Sequence, residues 1–217
     1  MADTIKEAYA MSKSVYDDTL TQAKWWSQLY IWLFWGGVDD REIANWVLER
    51  VPPDFYGRLL DVPVGTGVFT AQRYETLPHA EIICLDYSED MLFQAKERFL
   101  RIENISCMHG DVGSLCFSDE SFDMVLSMNG FHAFPHKEQA FFETARVLKK
   151  GGIFCGCFYI KGENRVTDLF VNAVLAKKGW FTPPFFSFSE LQDILCSMYP
   201  FVEIYHQCSM VYFSCVK

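Results

Sequence analysis

No two cysteines in this chain are spaced as Cys-x-x-Cys. None of the eight, at 84, 107, 116, 155, 157, 196, 208 and 215, has a second Cys or His pair at ligand spacing. That argues against a zinc site, even though Cys155-Gly156-Cys157 would put two thiols on one face of a strand. No metal is expected. Several cysteines fall in apolar runs, and buried, reduced thiols in a cytoplasmic protein are the expectation. Clustered positive charge is also missing. The chain has 217 residues and a net charge of −9, with Lys149-Lys150 and Lys177-Lys178 as short basic pairs. Both lie near the ends of predicted helices, where cations complement the dipole. Binding to a nucleic-acid backbone needs a basic face, so no nucleic-acid partner is expected. Long apolar runs are absent too. The most apolar window, Trp25 to Trp35, contains Ser27 and Gln28 and stops at Gly36-Gly37. It is too short to span a bilayer. Met1 to Lys24 is polar and charged, with no apolar segment of the secretory kind. No internal repeat or low-complexity stretch is visible, and nothing in the sequence fixes the oligomeric state.

What the chain does have is an alternation of strands and helices. Half of its residues are apolar, enough for one α/β domain with a full core. Strands are predicted at 58–62, 81–85, 105–109, 122–128 and 153–160. Between and after them, helices are predicted at 68–76, 90–100, 137–148, 164–178 and 189–198. Strands at 201–205 and 210–216 close the chain. Ser88 is positioned to cap the helix over 90–100, where Met91, Leu92, Ala95 and Phe99 fall at helical spacing. Lys149-Lys150-Gly151-Gly152 reads as a helix stop. Strands alternating with helices give a mostly parallel sheet covered on both faces. The last two strands are joined by about four residues, too few for a parallel crossover, so they form an antiparallel hairpin. Ahead of this unit, residues 1–52 are expected to form a helical cap, with helices at 21–35 and 39–51. Residues 53–217 form the α/β domain.

The most informative stretch is Leu59-Leu60-Asp61-Val62-Pro63-Val64-Gly65-Thr66-Gly67. It reads as a buried strand that ends in a carboxylate and opens into a glycine turn before a helix. That sequence of elements makes a ligand cradle at the carboxyl edge of a parallel sheet. A second acidic strand end, Asp86, follows 19 positions after Gly67. An α/β nucleotide fold puts its ribose-binding carboxylate at about that distance. The pair of signals points to an adenosine-bearing cofactor. A dinucleotide cradle would require a third glycine, and Thr70 stands there instead. Asp61 just before the turn would repel a pyrophosphate and suits a cationic ligand better.

Five segments in order carry a resemblance: Leu60 to Gly67, Leu85 to Met91, His109-Gly110-Asp111-Val112, Phe122 to Ser127, and Arg146 to Gly152. On these the chain resembles the class I S-adenosylmethionine-dependent methyltransferases of the small-molecule type, related to those of ubiquinone and menaquinone biosynthesis. It departs from them at Pro63, where a glycine is usual. The resemblance implies a Rossmann-like three-layer sandwich with a seven-stranded, mostly parallel sheet and an antiparallel last strand. It also implies S-adenosyl-L-methionine as cofactor and S-adenosyl-L-homocysteine as product. Asp61, with Val64, Gly65, Thr66 and Gly67, would hold the methionine moiety. Asp86 would take the ribose hydroxyls, with Tyr87, Ser88 and Met91 beside the adenosine. Asp111 and Val112 would meet the adenine, and Asn129 would lie by the sulfonium. Asp123 is read as the start of a strand and His136 as a helix N-terminal residue.

Transfer from a sulfonium needs positioning and dryness more than a triad. His132 is the one candidate base, with a pocket-shaping role as its competing assignment. Tyr16, Tyr30, Trp35, Phe131, Trp180 and Phe185 are candidate walls of a pocket for a small apolar or aromatic acceptor. A nicotinamide-dependent oxidoreductase and a non-catalytic binder of the same cofactor are the alternatives.

Overall fold

The structure is a computed structural model that describes residues 40–217. The chain enters through helix α1 (Asp40–Leu48), which buries Ile43, Ala44, Val47 and Leu48 on one face. Then follow β1 (Arg58–Asp61), α2 (Ala71–Tyr74), β2 (Glu81–Asp86), α3 (Glu89–Arg98), β3 (Ile105–His109) and β4 (Phe122–Met128). After these come α4 (Lys137–Val147), β5 (Leu148–Tyr159) and α5 (Arg165–Phe170), which runs into a π-helical turn, Val171–Leu175. Helix α6 (Phe188–Met198) and strands β6 (Phe201–Gln207) and β7 (Met210–Val216) finish the chain. The expected start of the cap, with Tyr16, Tyr30 and Trp35, lies outside the described residues.

The seven strands form one sheet in the order β3-β2-β1-β4-β5-β7-β6. Strands β1 to β5 pair in parallel. Strand β7 runs antiparallel to both β5 and β6 and lies between them. The hairpin expectation therefore holds. Its link is Cys208-Ser209, with Cys208 at φ 49°. Two of the expected elements differ in extent. The helix after the glycine turn shrinks to Ala71–Tyr74, because Gly65 and Gly67 both hold positive φ and the chain is still turning through Thr70. Strand β5 starts at Leu148 directly after α4. Lys149 to Gly152 thus extend the sheet edge rather than ending a helix in a loop.

Alternation along each strand sends side chains to opposite layers. Leu59, Ile82, Cys84, Met124, Leu126, Cys155 and Cys157 pack with α1, α3 and the π-helical turn. Leu60, Ile83, Val125, Phe154 and Phe158 pack with α4 and α6. On β4 the parity changes between Phe122 and Met124, where the pairing with β5 shifts register. Asp123 sits at that irregularity and accepts hydrogen bonds from the Arg58 N–H at 2.9 Å and Lys149 Nζ at 2.7 Å. It has the structural role expected of it. Four of the eight free cysteines are buried. Among the described residues no group of side chains could hold a metal ion, and no helix is long and apolar enough to cross a membrane.

Candidate active site

Four parallel strands end on one side of the molecule, and the loops that leave them surround a cavity of about 520 Å³. That is a ligand-sized volume at the edge where such sheets bind ligands. Its floor is the turn after β1. Gly65 has φ +57°, which an L side chain rarely adopts, and a Cβ built there would meet nothing within 4 Å. The space over Gly65 is thus open for close approach to the backbone. Gly67, at φ +70°, is constrained from behind: a Cβ would come 2.4 Å from Cζ of Phe99. The two glycines serve opposite sides of one turn.

Asp86, at the end of β2, is buried against this turn. Its Oδ2 accepts from the Gly65 N–H and its Oδ1 from the Ser88 N–H, both at 2.8 Å. Burial pushes its carboxyl up to about 6, and the backbone donors pull against that rise. Each oxygen keeps a lone pair for a further donor. Ser88 caps α3 by accepting from the Met91 N–H. Beyond β3, Asp111 accepts from the Gly113 N–H at 2.8 Å, an Asx turn that uses Oδ1. Beyond β4, Asn129 holds φ 54° and donates its N–H to the Cys157 carbonyl at 2.8 Å. Gly65, Asp86, Tyr87, Ser88, Met91, Asp111, Val112 and Asn129 all line the cavity.

Other expected residues lie elsewhere. Asp61 is buried behind the turn and does not line the cavity. Its Oδ2 accepts from the Tyr74 hydroxyl at 2.8 Å, and its Oδ1 has no hydrogen-bond partner. Burial raises its carboxyl to about 7, with Tyr74 and the nearby Thr70 hydroxyl opposing the rise. Val64, Thr66 and Gly67 shape the turn from within rather than lining the cavity. Phe131 is stacked on Phe141 at 4.1 Å in the core between β5 and α4. Phe185 packs edge-on to Tyr159, and Trp180 lies under the Lys178 ammonium, both off the wall. His132 is buried against Phe181, ring on ring at 3.9 Å. Its Nδ1 accepts from the Tyr159 N–H at 3.2 Å, so a neutral ring carries its proton on Nε2. Burial and the nearby Lys137 charge lower this imidazole to about 3. It does not line the cavity and packs behind Phe181, which does.

Another part of the wall is made by Ala133, Phe134, Pro135 and His136 after β4, with Phe181, Thr182 and Pro183. Lys137 ties the two segments together: its Nζ donates to the Phe134 carbonyl at 2.9 Å and also to the Thr182 carbonyl. Burial lowers this amine to about 8. The post-β4 residues had a signal in the sequence, since they leave a strand at its carboxyl end. Lys177 and Gly179 had none.

Residues 59–152 match the family described as methyltransferase domain. Over this segment the chain is similar to methyltransferase domains. Demethylmenaquinone methyltransferase of Staphylococcus aureus is 39% identical over 97 residues, covering 44% of this chain and 40% of that one. The chain spans between 32% and 40% of the length of the first curated relatives it matches. Among solved structures, a SAM-dependent methyltransferase of Thermotoga maritima covers 100% of both chains at TM-score 0.71 and 19% identity. Phosphoethanolamine N-methyltransferase 2 of Haemonchus contortus, in complex with S-adenosyl-L-methionine, covers 81% of this chain and 52% of its own, with TM-score 0.68 and 16% identity. These structural likenesses concern the fold. The cavity's residues suit S-adenosylmethionine, the cofactor that the sequence motifs imply: an open glycine floor, a buried carboxylate, and apolar walls at Val112 and Met91.

Proposed function

We propose that this chain is a methyltransferase that moves a methyl group from S-adenosylmethionine to a small apolar or aromatic acceptor by in-line displacement. The observation that carries this reading is the convergence of the ends of β1, β2, β3 and β4 on one cavity with Asp86 at its floor. The bound cofactor supplies an electrophilic methyl group on a sulfonium. Asp86, already held by two backbone N–H groups, receives the ribose hydroxyls on its remaining lone pairs. Asp111 keeps Oδ2 for the adenine amino group, and Val112 and Met91 cover the ring. Asn129 lies at the boundary between the cofactor side and the acceptor side. Phe134, Phe181 and Pro183 hold an apolar acceptor and exclude water, which accounts for catalysis by orientation and desolvation without a dedicated base. The nicotinamide alternative is opposed by Thr70, a buried residue that stands where the third glycine would be.

Calorimetric titration with S-adenosylmethionine, S-adenosylhomocysteine and NADH, repeated on Asp86→Ala, tests the proposal. The expected result is micromolar binding of both adenosyl ligands, lost in the variant, with no heat from NADH. Binding of NADH alone would overturn it. Adenosyl binding without methyl transfer to any acceptor in a screen would leave a non-catalytic binder.

A further inference from the structure

Cys84 on β2 and Cys107 on β3 are directly opposed in a parallel pair of strands. Registered residues point to the same face of a sheet, and both side chains belong to the core layer that α3 covers. Neighbouring strands lie about 4.7–4.9 Å apart. A disulfide spans Cα separations of roughly 4.4–6.8 Å, so this rung is within its reach. Both residues are free thiols.

The two differ in access and in protonation. Cys84 is buried, whereas Cys107 is half-buried on β3, the edge strand of the sheet among the described residues. The neighbouring Cys84 S–H lowers the Cys107 thiol from its ordinary value; burial opposes this and the Lys96 ammonium on α3 supports it. Burial pushes the Cys84 thiol well up, and Cys107 adds to the rise. Cys107 is therefore the thiolate-forming, accessible member, and Cys84 keeps its proton beside it.

We propose that Cys84 and Cys107 are a site of reversible oxidation, at which a peroxide converts the two thiols to a disulfide that weakens binding of the adenosyl ligand at the ends of β2 and β3. The weakening rests on the methyltransferase reading; the disulfide does not. The Cys107 thiolate attacks one oxygen of the peroxide and breaks the O–O bond, giving a sulfenic acid and, with a proton, one water. The Cys84 sulfur then attacks the sulfenic sulfur. The S–S bond forms, and the hydroxyl leaves with the Cys84 proton as the second water. Two thiols lose two electrons, and the peroxide is reduced to two waters.

The bond alters the rung on which it forms. Side chains that leave parallel strands in the same direction keep their Cβ atoms about one strand spacing apart, near 4.8 Å. A disulfide holds them at roughly 3.5–4.5 Å, so oxidation draws β3 toward β2, and a bond under strain is more easily reduced. Two rungs on, Asp86 and His109 are partners, and the Gly110 N–H donates to the Asp86 carbonyl at 3.1 Å. A Cβ on Gly110 would come 2.8 Å from Cδ1 of Leu85, so the exit from β3 is closely packed on β2. Asp86, Gly110, Asp111 and Val112 line the cavity, and a shift of the rung reaches them.

The reduced chain is treated with hydrogen peroxide, digested without reduction and mapped by mass spectrometry. Calorimetry with S-adenosylhomocysteine is run before oxidation, after it, and after dithiothreitol. Cys107→Ser and Cys84→Ala are carried through the same steps. The expected result is a linked peptide containing Cys84 and Cys107 in the wild type, lost on reduction. Oxidised wild type binds S-adenosylhomocysteine several-fold more weakly, and dithiothreitol restores it. Cys107→Ser shows no effect of peroxide on binding. In Cys84→Ala, Cys107 stops at the sulfenic acid and is labelled by dimedone. The exposed Cys116 and Cys196 are present in all three proteins and do not account for a difference between them. Oxidation confined to other cysteines overturns the proposal. So does a Cys84–Cys107 disulfide that leaves binding unchanged, or a loss of binding in Cys107→Ser equal to that of the wild type. Failure of the reduced wild type to bind either S-adenosylhomocysteine or S-adenosylmethionine would sink the methyltransferase reading instead, and the linked peptide would still decide the disulfide.

Discussion

At the scale of single residues, the two strand-end carboxylates look alike in the sequence and differ in the fold. Asp86 faces Gly65 across the turn, whereas Asp61 turns away to the Tyr74 hydroxyl, thirteen positions along the chain. Local pattern carries the strand end but not the side to which the carboxylate turns, because that depends on which partner the tertiary packing offers. The distinction has measurable consequences. The Asp61 carboxyl sits near 7 in the folded chain against 3.8 in the unfolded one. The folded state therefore holds the extra proton between those values, and its stability falls as pH rises from about 4 to 7. Asp61→Asn removes this loss. It keeps an acceptor for the Tyr74 hydroxyl. Chemical denaturation should find the variant more stable than the wild type at pH 8, by on the order of 1.4 kcal/mol for each pKa unit the burial imposes. A variant equal to or weaker than the wild type at pH 8 would refute the assignment. Asp86 behaves differently because a ligand's hydroxyls favour its ionised form. Affinity for S-adenosylhomocysteine should be flat above pH 7 and fall about tenfold per unit below 6. Calorimetry between pH 5 and 8 reads this directly, and a flat profile would take Asp86 out of the ligand contact.

At the scale of elements, strand and helix identities were legible because alternation and helical spacing are local properties. The missed contacts bring together residues far apart in the chain. His132 meets Phe181, and Lys137 meets the Thr182 carbonyl, across a loop whose path no local pattern fixes. His132 therefore packs behind Phe181, off the cavity lining, as a local pattern could not show. The segment Arg146 to Gly152 shows a physical cause beneath a recognised motif. Arg146, in the last turn of α4, donates Nε and Nη2 to the two oxygens of Glu143, each at 2.8 Å. It also donates to the Phe117 carbonyl at 2.8 Å and the Leu115 carbonyl at 2.9 Å. Glu143 in turn accepts from the Leu115 N–H. One guanidinium thus pins the loop that follows Asp111 and Val112 onto α4. A lysine at 146 keeps the charge but cannot reproduce the fork. Arg146→Lys should lower stability by roughly 1–3 kcal/mol, the cost of leaving such partners unmade. It should also weaken S-adenosylhomocysteine several-fold through the adenine-side loop. Thermal denaturation and calorimetry on the same preparation would test both effects. An unchanged transition midpoint would mean that the loop holds itself.

At the scale of the whole molecule, the hairpin length showed that the last strands are antiparallel, but not that β7 would lie between β5 and β6. Both orders satisfy a short link. The insertion buries β7 through Val211, Phe213 and Cys215 and leaves β6 at the edge with Phe201 and Tyr205 exposed. This end of the sheet is remote from the ligand edge of β1 to β3, so the cavity depends on the other half of the molecule and on the two segments that Lys137 joins. A ligand that fills the cavity contacts loops from β1 to β4 together with the segment after the π-helical turn. It therefore binds only a chain in which all of these are folded, and its binding energy adds to global stability. At a free concentration of 100 times Kd, such a ligand stabilises by about 2.7 kcal/mol. For a chain of this size that converts to a rise in Tm of roughly 5–10 °C. S-adenosylhomocysteine at that concentration should produce this shift in the wild type and none in Asp86→Ala, whose floor has lost its carboxylate. If the shift appeared equally in both proteins, the ligand would be bound somewhere that does not use the β2 strand end. If it were absent in the wild type despite binding measured by calorimetry, the cavity would open by local unfolding without the rest of the sheet.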